Sequence, residues 1–190
     1  MGRTAGRSAE QTRGAIIAAA AGLIARRGVR VSLEAVAEAA GVSKGGLVYH
    51  FPSKNDLFLA IARSFCDGFR DLVLARAGDD PGERGRLTRA YVDVSLDPDV
   101  VTGEHRDRLL VIGQLMSIPV VADLAAEDAR RWSDDLARDG VSPDVQRIVV
   151  AASDGAEGAL LWGAAPDAET LMRLRAGLLA LLDGDVGPGR

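Results

Sequence analysis

Residues 32–51 read SLEAVAEAAGVSKGGLVYHF, and the architecture turns on how this stretch folds. Ser32 stands where a helix N-cap belongs, and Glu34 falls in the acid-favouring first turn of a helix over 33–40. Gly41 closes that helix and Ser43 caps a second one over 44–50. Phe51-Pro52 then disfavours further helical geometry, because the residue before a proline is pushed out of the α region. Two short helices across a glycine-opened turn have helix-turn-helix proportions. Ala35, Val36, Ala39 and Val42 are expected to pack the first helix across the second, with Leu47 facing back into the same small core. Lys44, Tyr49, His50 and Lys54 are left as polar groups for the outside. Such groups and helix N-terminal N–H groups suit phosphate contacts, which fix the register of a docked protein.

Gly45 and Gly46 demand a reason, since each glycine costs a helix interior roughly 0.8–1 kcal/mol relative to alanine. Neither GxxxxGK[ST] nor GxGxxG spacing is present, which excludes a nucleotide-cradling loop. The glycines are expected to let the N-terminus of the second helix approach a partner closely. On that reading Gly46→Leu weakens binding and leaves stability nearly unchanged.

Outward from this stretch the chain reads as all-α, in about nine helices. The first is expected from near Thr12 to Arg27, ending at Gly28. Ser53 and Asp56 approximate a capping box for a long fourth helix from about Lys54 to Ala77. GDDPGERG over 78–85 reads as a linker, followed by helices near 84–96, 104–117, 120–139, 143–163 and 167–183. Alternating β-branched runs are absent. The expected division is an N-terminal module over 1–57, a helical body over 58–183 and a flexible tail over 184–190. The run AIIAAAAGLIA at 15–25 is too short to span a bilayer, and its i, i+3, i+4 spacing is that of a buried helix. No other stretch qualifies, so no membrane partner is expected. The lone Cys66 suits a reducing, cytoplasmic setting and reads as a small core hydrophobe.

The net charge of −4 is unevenly spread. Residues 1–54 carry eight Lys and Arg against three acids, a balance of +5, and the rest of the chain carries −9. A basic N-terminal third on an acidic body suits a chain that meets a polyanion at one end. Arg26, Arg27 and Arg30 read as a solvated helix end, and Arg3 and Arg7 as a disordered arm.

With these residues in place, 12–65 resembles the N-terminal domain of TetR-family transcriptional regulators. The resemblance rests on Ile16-Ile17 with Ala19-Ala20, Leu23-Ile24 and Gly28, on Val36-Ala37 and Gly41-Val42-Ser43-Lys44-Gly45, and on Leu47, Tyr49-His50-Phe51-Pro52-Ser53-Lys54 and Leu57. It implies that the helix at 43–50 enters the major groove, with Ser43, Lys44, Gly45 and Gly46 nearest bases and backbone. It also implies that Tyr49, His50 and Lys54 hold phosphates, with Ser32 at the edge of the same surface. Gly46 and Val48 depart from the family's more usual side chains, which leaves fewer groups for base readout and more weight on Lys44, on residues of the preceding helix and on DNA shape.

For the acidic body the resemblance implies a homodimer built on the last two helices. Val149, Ala152, Ser153, Ala156, Leu160, Leu171, Leu174 and Leu178 are the expected interface. A two-fold dimer would present two recognition helices about one DNA turn apart, on the order of 34 Å, to a palindromic operator in double-stranded DNA. The resemblance further implies a cavity for an unidentified small-molecule effector. Phe65, Phe69, Tyr91, Leu109, Ile112, Met116, Trp132 and Trp162 are its apolar candidates, and His105, Arg108, Gln114 and Asp128 its polar ones. No cofactor and no metal are expected. The chain has one cysteine and two histidines in different regions, and no strand-turn-helix elbow for a nucleophile, so it does not read as an enzyme. The leading expectation is a ligand-released repressor. The alternatives are a helical small-molecule binder or enzyme whose N-terminal module does not read DNA, and a DNA-binding protein without a ligand.

Overall fold

Ser8 starts the first helix: its hydroxyl accepts the Gln11 N–H at 3.1 Å while the Gln11 side chain accepts the Ser8 N–H at 2.8 Å. This reciprocal box places α1 at Ala9–Arg27, earlier than the expected start near Thr12. The computed structural model describes residues 7–78, 83–101 and 104–185, with backbone alone at 100–101 and 104–105. Arg3 of the arm, residues 79–82 of the linker, the His105 side chain and tail residues 186–190 lie outside the described residues.

Next come α2 (Leu33–Ala40) and α3 (Lys44–His50), separated by Gly41 in the left-handed region at φ 69°. The long α4 (Lys54–Ala77) opens on Ser53 and Asp56, whose Oδ2 accepts the Ser53 N–H at 2.9 Å. It is followed by α5 (Arg86–Ser95), α6 (Pro98–Val101), α7 (Glu104–Leu115) and α8 (Pro119–Ala137). Finally α9 (Pro143–Gly158) tightens into a 3₁₀ turn, Ala159–Trp162, before α10 (Ala168–Gly184). The single turn α6 occupies a segment expected to be a break. No strand occurs among the described residues.

The chain forms two compact units. One comprises residues up to 66 with 110–125; the other comprises 67–109 and 126–190. Helices α4, α7 and α8 thus each contribute residues to both. In the first unit Ile16, Ala20, Leu23 and Ile24 of α1 are buried with Val36, Ala37 and Ala40 of α2, Leu47 of α3 and Leu57 of α4. At about 1.5–3 kcal/mol for each large side chain removed from water, this cluster is the main stabilising element of the module. Ala35 and Val42 pack against this core as expected, whereas Ala37 and Ala40 are buried in it and Ala39 is exposed. The reason is rotation: at about 100° per residue, Val36, Ala37 and Ala40 share one face and Ala39 leaves it. The same core takes in Val111, Leu115 and Val121 from the end of α7 and the start of α8.

The second unit has two clusters. Val92, Leu96, Val141, Val149, Leu160, Leu171 and Leu178 make one, and Val73, Ala90, Tyr91, Val94, Trp132 and Leu136 the other. Helix α5 begins on Gly85, which has no side chain to cap it. Asp139 serves instead: its carboxylate accepts the Leu87 N–H at 3.2 Å, and the Thr88 N–H and hydroxyl at 2.7 and 2.8 Å. Cys66, expected in the core, is half-buried.

Candidate nucleic-acid interface and aromatic cluster

Caps hold the two short helices in register. The Ser32 hydroxyl accepts the Ala35 N–H at 3.1 Å, and the Ser43 hydroxyl accepts the Gly46 N–H at 3.0 Å. Both serines are exposed. Lys44, the first residue of α3, reaches back to the first turn of α2, where its Nζ lies 2.6 Å from a Glu34 oxygen. This hydrogen bond holds the Glu34 carboxyl below the usual carboxylate range. Tyr49 is 82% exposed at the far end of α3, edge-on to the half-buried His50 ring at 5.2 Å. Lys54 is half-buried and lays its ammonium over the Phe58 ring, 5.3 Å from the centroid. A Cβ added to Gly45 would meet nothing nearer than the Ser43 hydroxyl at 4.0 Å, whereas one on Gly46 would come within 3.2 Å of it.

The expected effector residues separate. Phe69, Tyr91 and Trp132 come together in the second unit as three mutually edge-to-face rings, with centroids 5.4, 5.8 and 5.2 Å apart. Leu109 packs on the other cluster of that unit, whereas Ile112 packs in the core of the first unit. Phe65 is half-buried in the first unit, Met116 is exposed, and Trp162 is 85% exposed. Among the polar candidates, Asp128 acts electrostatically on Tyr91, Arg108 is exposed, and Gln114 has its side-chain oxygen beside Gly28.

Polar residues not singled out from the sequence surround the rings. The Arg70 guanidinium lies over Trp132, 4.1 Å from the ring centroid, with Nη1 2.6 Å from Asp135. The Tyr91 hydroxyl donates to Asp154 at 2.6 Å. Burial, with the neighbouring Asp154, pushes the Tyr91 phenol up. Although much of Asp154 is exposed, desolvation raises its carboxyl, opposed by the Tyr91 hydrogen bond. Glu157 is pushed up to about 8, first by burial and then by the Asp154 charge, with the Ser95 hydroxyl opposing. Asp154 and Glu157 stand three apart on a helix of small residues, a spacing that puts two carboxyls on one face. That spacing was the available signal for them.

The expected dimer residues lie on the inner side of their helices. Val149, Ser153, Ala156, Leu160, Leu171 and Leu178 are buried within the chain's own core, with Ala152 and Leu174 packed against it. The outward apolar residues of the same segment are Ile148, Leu161, Trp162, Met172 and Leu181.

Two family models match the chain. Residues 16–61 match the family model of bacterial regulatory proteins of the tetR family. Residues 85–183 match that of the tetracyclin repressor-like C-terminal domain. The HTH-type transcriptional regulator AcrR of Shigella flexneri is 33% identical over 112 residues, 58% of this chain and 51% of that protein, so the chain spans about half the length of this relative. Among solved structures, the multidrug binding protein EbrR complexed with malachite green aligns at TM-score 0.70 and 28% identity, covering 90% of this chain and 97% of that one. A TetR-family member from Streptomyces coelicolor A3 aligns at TM-score 0.66 and 27% identity, covering 90% and 98%. Among the described residues no helix is long and apolar enough to cross a membrane.

Proposed function

The chain belongs to the TetR family of bacterial regulatory proteins, and from that footing we propose that it is a homodimeric repressor released from a palindromic operator by a small molecule. TetR-family members are transcriptional regulators rather than enzymes; as a family they bind DNA and respond to ligands. The observation that carries the reading here is α3. Its N-terminus is capped by Ser43, leaves Gly45 open, and sets Lys44 and Tyr49 at the surface of the basic third of the chain. In the proposed complex α3 enters the major groove. Lys44 and the glycines then face bases and backbone, while Ser32, Tyr49, His50 and Lys54 fix register on phosphates.

The effector reading rests on Phe69, Tyr91 and Trp132, a cluster of aromatic rings bordered by the Asp154 carboxyl at the Tyr91 hydroxyl and by the Arg70 guanidinium over Trp132. The malachite green complex of EbrR, 28% identical to this chain, supports an aromatic effector. Release is a population shift, in which the ligand favours a DNA-incompetent arrangement in proportion to its differential affinity. Helices α4, α7 and α8, which contribute to both units, give that shift a covalent route. For the dimer, the outward Ile148, Leu161, Trp162, Met172 and Leu181 supply an apolar surface on α9, its 3₁₀ extension and α10. Sedimentation of the full chain as a monomer at micromolar concentration would remove the dimer from the reading.

The decisive experiment titrates full-length protein onto DNA from upstream of its own gene. Affinity is expected to fall with salt, with a log–log slope near −0.9 per neutralised phosphate. The combined Lys44→Ala, Tyr49→Ala and Lys54→Ala variant is expected to flatten that slope and weaken binding at every salt concentration. If the triple variant binds as the wild type does, α3 is not the reading element.

A further inference from the structure

The 2.6 Å contact between Lys44 and Glu34 joins the first helical residue of α3 to the first turn of α2. Both side chains are more exposed than not, 64% and 59%, so packing does not force the pair together. Lys44 places a positive charge at a helix N-terminus, where the macrodipole disfavours it. Glu34 answers that charge and is itself well placed near the N-terminus of α2. We infer that Glu34 is a specificity-determining residue that acts through Lys44. It holds the ammonium on the protein and sets a carboxylate beside the surface that DNA must approach.

The inference rests on the DNA-binding reading of α3 and adds a discriminating element to it. A lysine free at the tip of α3 would attach to any phosphate, and such contacts carry no sequence information. Glu34 opposes them twice. It competes for the ammonium, and its own charge repels a backbone that enters out of register. At a cognate site the docked register instead offers Lys44 a base-edge acceptor, such as guanine O6 or N7. Glu34 can then turn to a donor such as the cytosine amino group. Discrimination commonly needs such a repulsive element as well as an attractive one. It matters more here because Gly45 and Gly46 give α3 no side chains of its own at two positions after Lys44.

Four full-length proteins test this: wild type, Glu34→Gln, Lys44→Ala and the double variant. Each is titrated by fluorescence anisotropy onto a random-sequence duplex and onto a duplex selected in vitro by the wild type, from 50 to 200 mM salt. Glu34→Gln is expected to tighten random-duplex binding about twofold to fivefold, the range set by the worth of an exposed ion pair. Its salt slope should steepen by about 0.9, one added phosphate contact. Affinity for the selected duplex should rise less, so the specificity ratio falls. In the Lys44→Ala background Glu34→Gln is expected to keep less than half of its effect on affinity and slope, the part due to direct repulsion of the backbone, because its partner is gone. A purely structural role would move the thermal midpoint and leave the slope alone. An unchanged random-duplex affinity and slope in Glu34→Gln overturns the inference while leaving the DNA-binding reading intact. An effect that keeps half or more of its size without Lys44 overturns it in the same way. Wild-type protein that bound neither duplex would overturn both.

Discussion

Two adjacent glycines in α3 have different reasons to be glycine. A Cβ on Gly46 would stand 3.2 Å from the Ser43 hydroxyl that caps the helix, so a larger residue there crowds the cap as well as any approaching DNA. Gly46→Leu is therefore expected to carry a stability cost of its own, within the ~0.5–2 kcal/mol that losing an N-cap involves. Gly45 is the cleaner probe, because its Cβ direction is open. Gly45→Ala is expected to stabilise the protein by up to about 0.8 kcal/mol through helix propensity. The same change should weaken operator binding by obstructing the backbone. Chemical denaturation beside anisotropy separates the two effects, and unchanged operator affinity would mean that DNA does not approach α3 closely there. Single residues resist reading from sequence for a related reason. Lys44 and Glu34 are ten positions apart, and only the crossing of α2 over α3 makes them partners.

Helix ends were the most legible elements where a cap stands beside its helix. Ser32, Gly41, Ser43 and Pro52 give the bounds of α2 and α3 that the structure shows. The cap of α5 was not legible, because Asp139 comes from a distant part of the chain. Asp139→Ala is expected to cost about 1–3 kcal/mol in chemical denaturation, because Thr88 is buried and loses the acceptor of its N–H and hydroxyl. Asp139→Asn keeps one acceptor oxygen and is expected to cost less; equal losses from both would point to charge rather than capping. The 3₁₀ turn Ala159–Trp162 escaped notice because its composition, ALLW, continues an apolar helical pattern. The apolar stripes of α9 and α10 were visible as well, but a stripe shows which face avoids water and not what covers it. Val149, Leu171 and Leu178 turn out to be covered by the chain's own core.

At the scale of the whole molecule, acidity sets a pH dependence. Glu157 titrates in the folded chain at about 8, above the ordinary glutamate value of 4.5. The folded state therefore binds more protons than the unfolded state between those values, and stability falls as pH rises through that window. The thermal midpoint is expected to drop as pH is raised across it, and Glu157→Gln, which stays neutral, should flatten the profile. A variant profile parallel to the wild type would assign the dependence to another group. The all-α class was legible from periodicity, whereas the make-up of the two compact units was not. Residues 110–125 lie far along the chain from α1, yet Val111, Leu115 and Val121 help to fill its core. Chimaeric biosensors are assembled by joining the operator-reading half of one regulator to the sensing half of another. In this chain a single cut within α4 would strip those three side chains from the graft, so a working hybrid has to be spliced at three junctions and carry the 110–125 segment with the residues up to 66.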